Sequence, residues 1–119
     1  MSEGFFFDTY AIFEILQGSP PYKAFALGDG LTTIFNLAEL NYAAKRQGKA
    51  EADHWVRECA SSLTDVTVTD VMEAMSLRVM RRALSIPDAI GYVVAKRLGL
   101  RFLTGDKEFR DMDNVEFVK

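Results

Sequence analysis

Ser85-Ile86-Pro87-Asp88-Ala89-Ile90-Gly91-Tyr92-Val93-Val94-Ala95-Lys96-Arg97-Leu98-Gly99-Leu100-Arg101-Phe102-Leu103-Thr104-Gly105-Asp106 reads as one helix–strand unit with an acid near each end. Ser85 followed by Asp88 is a near match to a capping box, and Pro87 falls in the first turn, where its missing amide does no harm. Ile86, Ala89, Ile90, Val93 and Val94 keep a helical stripe until Gly99 stops it. Phe102-Leu103 follows as a short buried strand, and Thr104-Gly105-Asp106 turns out of it. Helix starts and the C-terminal ends of parallel strands are where α/β proteins place ligands. The unit therefore points to a site as well as to a fold.

The rest of the chain supplies similar pieces. Phe5-Phe6-Phe7 reads as a buried first strand with Asp8 directly after it, and residues 10–16 as a short helix stopped by Gly18. Position alone fits Asp8 equally to a helix N-cap and to a functional acid. Ser19-Pro20-Pro21 breaks the chain, residues 22–27 read as a short helix, and Leu31-Thr32-Thr33 as a second strand. Thr33 then caps a helix over 34–47 that is apolar over most of its circumference, the pattern of an element packed on more than one side. Within it, Glu39 falls on the polar arc near Asn36 and Arg46.

Residues 49–63 read as a further helix with Trp55, Val56, Cys59 and Leu63 on one face. Val66-Thr67-Val68 reads as a strand, and a helix capped by Thr69 or Asp70 follows over 71–84, with Arg78, Arg81 and Arg82 on one arc. Lys107 to Arg110 form a helical turn, and Val115 to Val118 alternate as a closing edge strand. Strands separated by helices predict an open, mainly parallel α/β sheet of four to five short strands flanked by helices.

Composition narrows the class. A chain of 119 residues is read as a single domain spanning 1–119, able to bury about two-thirds of its unfolded surface. No apolar run approaches the roughly 20 residues of a membrane span. Phe5 to Phe7, with Glu3 in front, is too short for a signal peptide. The expectation is a cytoplasmic protein with no membrane association. One Cys59 and one His54 leave little from which to build a zinc site, and the net charge of −3 argues against a chain-wide nucleic-acid coat.

Right-handed crossovers in such a sheet bring Asp8, Asp88 and Asp106 to one rim, and Glu39 reaches it if its helix packs beside the first strand. Four carboxylates in one pocket repel one another and need a cation. Oxygen-only ligation suits Mg2+ or Mn2+, and the matching reaction is metal-assisted phosphodiester hydrolysis.

Four segments also carry a family resemblance: Phe6-Phe7-Asp8-Thr9-Tyr10-Ala11, Asn36-Leu37-Ala38-Glu39-Leu40, Pro87-Asp88-Ala89-Ile90 and Leu103-Thr104-Gly105-Asp106-Lys107-Glu108-Phe109. In order and spacing they resemble the four acidic motifs of PIN-domain ribonucleases, and in length and style they are most similar to the VapC-type toxins of toxin–antitoxin pairs. The resemblance implies a PIN-like fold and an endoribonuclease dependent on Mg2+ or Mn2+. It also implies an RNA substrate, a homodimer and inhibition by a cognate antitoxin. Carried over by position, Asp8, Glu39, Asp88 and Asp106 are the acidic quartet, and Thr9 and Thr104 are hydroxyl neighbours that orient a carboxylate or a water. Asp8 and Asp88 are the direct metal contacts; Glu39 and Asp106 act through water. Two other readings are a receiver-type phosphorylatable module, which wants paired acids after the first strand and a late Lys, and a metal-free binding or regulatory module.

Overall fold

Four short strands make one all-parallel sheet in the order β2-β1-β3-β4. The computed structural model describes residues 4–119; Glu3 lies outside them. The strands are β1 (Phe5–Phe7), β2 (Gly30–Leu31), β3 (Arg101–Thr104) and β4 (Val115–Phe117), and the helices are α1 (Thr9–Leu16), α2 (Ile34–Arg46), α3 (Ala52–Glu58), α4 (Val68–Met80) and α5 (Ile86–Leu98). The chain steps from β1 to β2 on one side and returns to β3 on the other. The strand order reverses between β1 and β3, and the crevice beyond their C-terminal ends is where such sheets leave room for a ligand.

The two-residue period of the strands sorts the core into two layers. Phe7 and Leu103 face α1, α2 and α3, where Ile12, Leu37, Leu40 and Trp55 join them. Phe6 and Phe102 face the other way, towards α4 and α5, packed with Ala74, Leu84, Ile90 and Val94. The Phe6 and Phe102 rings stack at 5.7 Å. Strands this short carry few ladder bonds, so burial of these rings, about 1.5–3 kcal/mol each, contributes much of what holds the sheet centre.

The opening helix–strand unit forms as its sequence signals. Ser85 and Asp88 make a reciprocal capping box, and Gly99 ends α5 in the left-handed conformation at φ 70°. The stretch 66–68 does not form a strand. Thr67 caps α4 instead, its hydroxyl accepting from the Asp70 amide while the Asp70 carboxylate accepts from the Thr67 amide. That box outweighs the β preference of two valines, so α4 starts at Val68 and not at residue 71. Asp70 also takes the Arg97 guanidinium at 2.8 Å, which ties α4 to α5. Burial alone would raise the Asp70 pKa, but the Arg97 and Thr67 donors prevail and hold it below the ordinary carboxylate value.

Other boundaries shift for local reasons. Residues 22–27 form no α-helix; the prolines give a 3-10 turn, Pro20–Tyr22, and a second, Leu27–Asp29, follows. The 49–63 helix contracts to α3 followed by the 3-10 turn Ala60–Ser62. Thr32 makes an isolated bridge to Leu63, and Thr33 leaves the strand to cap α2. α2 packs on more than one side, against α1, α3 and α5, but Ile34, Phe35 and Tyr42 are exposed, and Asn36, read on a polar arc with Glu39, is buried.

Gly91 sets how closely α5 lies on β1. A Cβ there would stand 2.9 Å from the Phe6 ring and 3.2 Å from Asn36 Oδ1. Gly→Ala inside an unhindered helix stabilises by about 1 kcal/mol. Gly91→Ala is expected to do the reverse, destabilising by about 1–2 kcal/mol through overpacking, measured by urea denaturation. A stabilised variant would show that α5 has room to move.

Candidate active site

Asp8 occupies the N-cap position of α1, but its side chain makes no capping hydrogen bond. The carboxylate turns instead towards β3, where Thr104 Oγ1 donates to Asp8 Oδ2 at 2.7 Å. The other oxygen, Oδ1, is buried and has no hydrogen-bond partner among the described residues. An ionised oxygen left in that state costs several kcal/mol, and native folds keep such groups where something else is to meet them. Capping therefore does not account for Asp8.

Asp8 lines a cavity of about 440 Å³ together with the three other acids singled out in the sequence, Glu39, Asp88 and Asp106. Each is held by a different device. Asp88 Oδ2 accepts from the Ser85 amide at 2.9 Å, and the Asp88 amide donates to Ser85 Oγ at 3.1 Å. The same Ser85 hydroxyl donates to Glu39 Oε2 at 3.0 Å, so one side chain caps α5 and fixes the acid presented by α2. Asp106 Oδ1 accepts from the Glu108 amide at 3.0 Å, starting a 3-10 turn, while the Asp106 amide donates to Thr104 Oγ1 at 3.0 Å. Thr104 thus links two of the acids.

Thr9 is placed differently. Its hydroxyl donates to the Asn36 carbonyl and accepts from Asn36 Nδ2 at 3.2 Å, and Thr33 Oγ1 donates to Asn36 Oδ1 at 2.7 Å. This buried triad locks α1 to α2, and its side-chain bonds reach no carboxylate among the described residues, although Thr9 lines the cavity. Ser85 and Asn36 are the positioning residues that sequence reasoning did not single out for the site. Ser85 was visible as a cap, but its bond to Glu39 spans 46 positions and exists only once α2 and α5 pack together. His54 is exposed and pairs with Glu58, and Cys59 is buried in the core; neither lines the cavity. The arginine arc divides: Arg81 pairs with Asp111 at 3.3 Å, while Arg78 and Arg82 remain exposed.

The electrostatics follow from this crowding. Burial, then the Asp88 charge, raises the Asp8 pKa well above the ordinary value, with Glu39 adding to the rise and Thr104 opposing it. Burial is also the main cause at Asp88, which rises to about 6; the Ser85 amide opposes this, and Glu39 and Asp106 reinforce it. Uncommitted carboxylate oxygens in an acid-rich pocket suit a hard cation. Among the described residues no three acids are drawn in close enough to chelate one ion. Mg2+ fits such a set because it retains several waters and needs only one or two direct carboxylates.

The sequence profile of the PIN domain matches residues 5–115. The chain belongs to the PIN domain family. Its all-parallel sheet and two helical layers are accordingly the PIN fold, and the four acids lie in one cavity of that domain. Among solved structures, a chain of a toxin–antitoxin complex from Klebsiella pneumoniae is similar to this PIN domain with a TM-score of 0.69 and 19% identity, over 92% of this chain and 93% of that one. At that identity the likeness is one of fold. Comparison with curated proteins found no match.

Raised folded-state values at Asp8 and Asp88 fix the sign of a stability change with pH. Their stabilising effect is fully present below the unfolded carboxylate pKa and is lost as pH rises through the folded values, about 6 for Asp88. In chelator, the melting temperature should fall as pH rises from about 4 through about 6. Asp8→Asn should flatten that fall and stabilise the metal-free protein at neutral pH, read by thermal denaturation. A less stable Asp8→Asn variant at neutral pH would mean that the buried charge is compensated.

Proposed function

We propose that this PIN domain is a metal-dependent endoribonuclease that hydrolyses RNA phosphodiester bonds, and that it is the toxin of a toxin–antitoxin pair. The observation that carries the reading is the buried, unpartnered Asp8 oxygen in a cavity it shares with three further acids. Membership of the family supports nuclease chemistry, and the toxin–antitoxin complex among its structural neighbours supports a cognate antitoxin as partner. The apolar side chains that α4 leaves exposed, Val68, Met72, Val79 and Met80, support a homodimer.

Mg2+ or Mn2+ would be held directly by Asp8 and Asp88 and through water by Glu39 and Asp106. The chemistry supplied there is activation of water for in-line attack and neutralisation of charge on the phosphate and leaving oxygen. The chain's own contribution is positioning. Thr104 Oγ1 fixes Asp8 Oδ2 and leaves Oδ1 buried without a partner among the described residues. Ser85 holds Glu39 and Asp88 at a set separation through one hydroxyl and one amide. The raised values at Asp8 and Asp88 mean that both must give up protons for the site to load, so activity should rise with pH through about 6.

The test is cleavage of RNA by purified protein. Cutting is expected with Mg2+ or Mn2+, should stop with chelator, and should fall by at least about 100-fold in Asp8→Asn and in Asp88→Asn. Cleavage that persists in either variant would remove these acids from the mechanism.

A further inference from the structure

Tyr10, the second residue of α1, lines the cavity with the four acids. Its ring is pinned at the phenol end. Gly105, buried between Thr104 and Asp106, has no room for a side chain: a Cβ there would overlap Tyr10 Cε1 and the Val118 carbonyl oxygen, and would stand 2.8 Å from Tyr10 Cζ. The hydroxyl, carried on Cζ, is thereby held near the backbone that links Thr104 to Asp106. Tyr22 and Tyr92 both spend their hydroxyls on backbone carbonyls, of Val118 and Asp113, each at 2.6 Å, whereas the Tyr10 hydroxyl has no hydrogen-bond partner among the described residues. Other donors around the cavity are committed or distant. Thr9 Oγ1 donates to the Asn36 carbonyl, and Gln17 Nε2 donates to Glu14 and Ser19. Gln47 lies at the far end of α2, about 12 Å of helical rise beyond Glu39. No lysine or arginine lines the cavity among the described residues.

We propose that Tyr10 is a catalytic residue whose hydroxyl donates a hydrogen bond to a non-bridging oxygen of the scissile phosphodiester. The assignment rests on the nuclease reading above and adds a group to its machinery. Ionised carboxylates only accept hydrogen bonds, so none of the four acids can hold a phosphate oxygen directly. A tyrosine phenol keeps its proton at neutral pH and donates it to a hydrogen bond without adding charge to the pocket. As negative charge builds on the phosphoryl oxygens, a donor already fixed in place stabilises the transition state more than the bound substrate. The proton stays on the phenol throughout, and no covalent bond to Tyr10 forms. Packing against Gly105 asks only for the ring, which phenylalanine would supply; the hydroxyl is left for the cavity.

Tyr10→Phe keeps the ring and removes the donor. In steady-state cleavage of a labelled oligoribonucleotide with Mg2+, this variant should show kcat lowered at least about tenfold and KM nearly unchanged. A ring that serves packing alone would leave kcat as it is. Contact is read separately from cleavage, by fluorine NMR of the protein labelled with fluorotyrosine, with Ca2+ in place of Mg2+ so that the same RNA stays uncut. The Tyr10 resonance, identified by its absence from Tyr10→Phe, should shift when RNA is added, while those of Tyr22 and Tyr92 stay in place. An unchanged kcat in Tyr10→Phe, or a Tyr10 resonance that RNA does not move, would overturn the assignment. If the unmutated protein cleaves RNA and Tyr10→Phe cleaves it equally well, only the role of Tyr10 fails. If the unmutated protein cleaves nothing while RNA still shifts the Tyr10 resonance, the contact stands and the nuclease reading fails. Neither cleavage nor a shift would sink both.

Discussion

The hydrogen bond from Thr104 Oγ1 to Asp8 Oδ2, 2.7 Å long, joins the C-terminal ends of the two central strands at the point where the strand order reverses. It stands where a helix cap would be expected and takes Asp8 out of that role. One carboxylate oxygen is satisfied, and the other is left buried and unmet. The arrangement sacrifices local stability at α1 for a charged oxygen in a fixed place, a trade that folds make at functional sites.

The remaining acids are organised so that the pocket keeps its shape without a cation. Asp88 and Asp106 each spend one oxygen on a backbone amide, and Glu39 spends one on Ser85. These bonds offset part of the mutual repulsion and leave the second oxygens available. Asp8 likewise spends one oxygen, on Thr104, and burial and its acidic neighbours raise its proton affinity. A cation would reverse that balance, because its charge favours the ionised form of every group that now opposes it.

Much of this was legible in the sequence because its signals are local. The α5–β3 unit followed from Ser85, Pro87, Asp88 and Gly99, which act within a turn of one another, and the order of the four acids followed from strand ends and helix starts. The failures were of two kinds. At 66–68 the weak β preference of two valines was read ahead of the Thr67–Asp70 box, which is stronger because it satisfies two amides at once. In α2 Asn36 was read on a polar arc with Glu39, yet it is buried and bonded to Thr9 and Thr33. The bond between Ser85 and Glu39 was out of reach, since it depends on how two distant helices pack.

The central claim is that the Asp8 oxygen is kept unpaired for a divalent cation. Calorimetric titration of the metal-free protein with Mn2+ near pH 6, in buffers of different ionisation enthalpy, tests it most directly. The account predicts saturable binding with release of protons from Asp8 and Asp88, and loss of both signals in Asp8→Asn. No saturable heat in the unmutated protein, or an unchanged titration in Asp8→Asn, would contradict it.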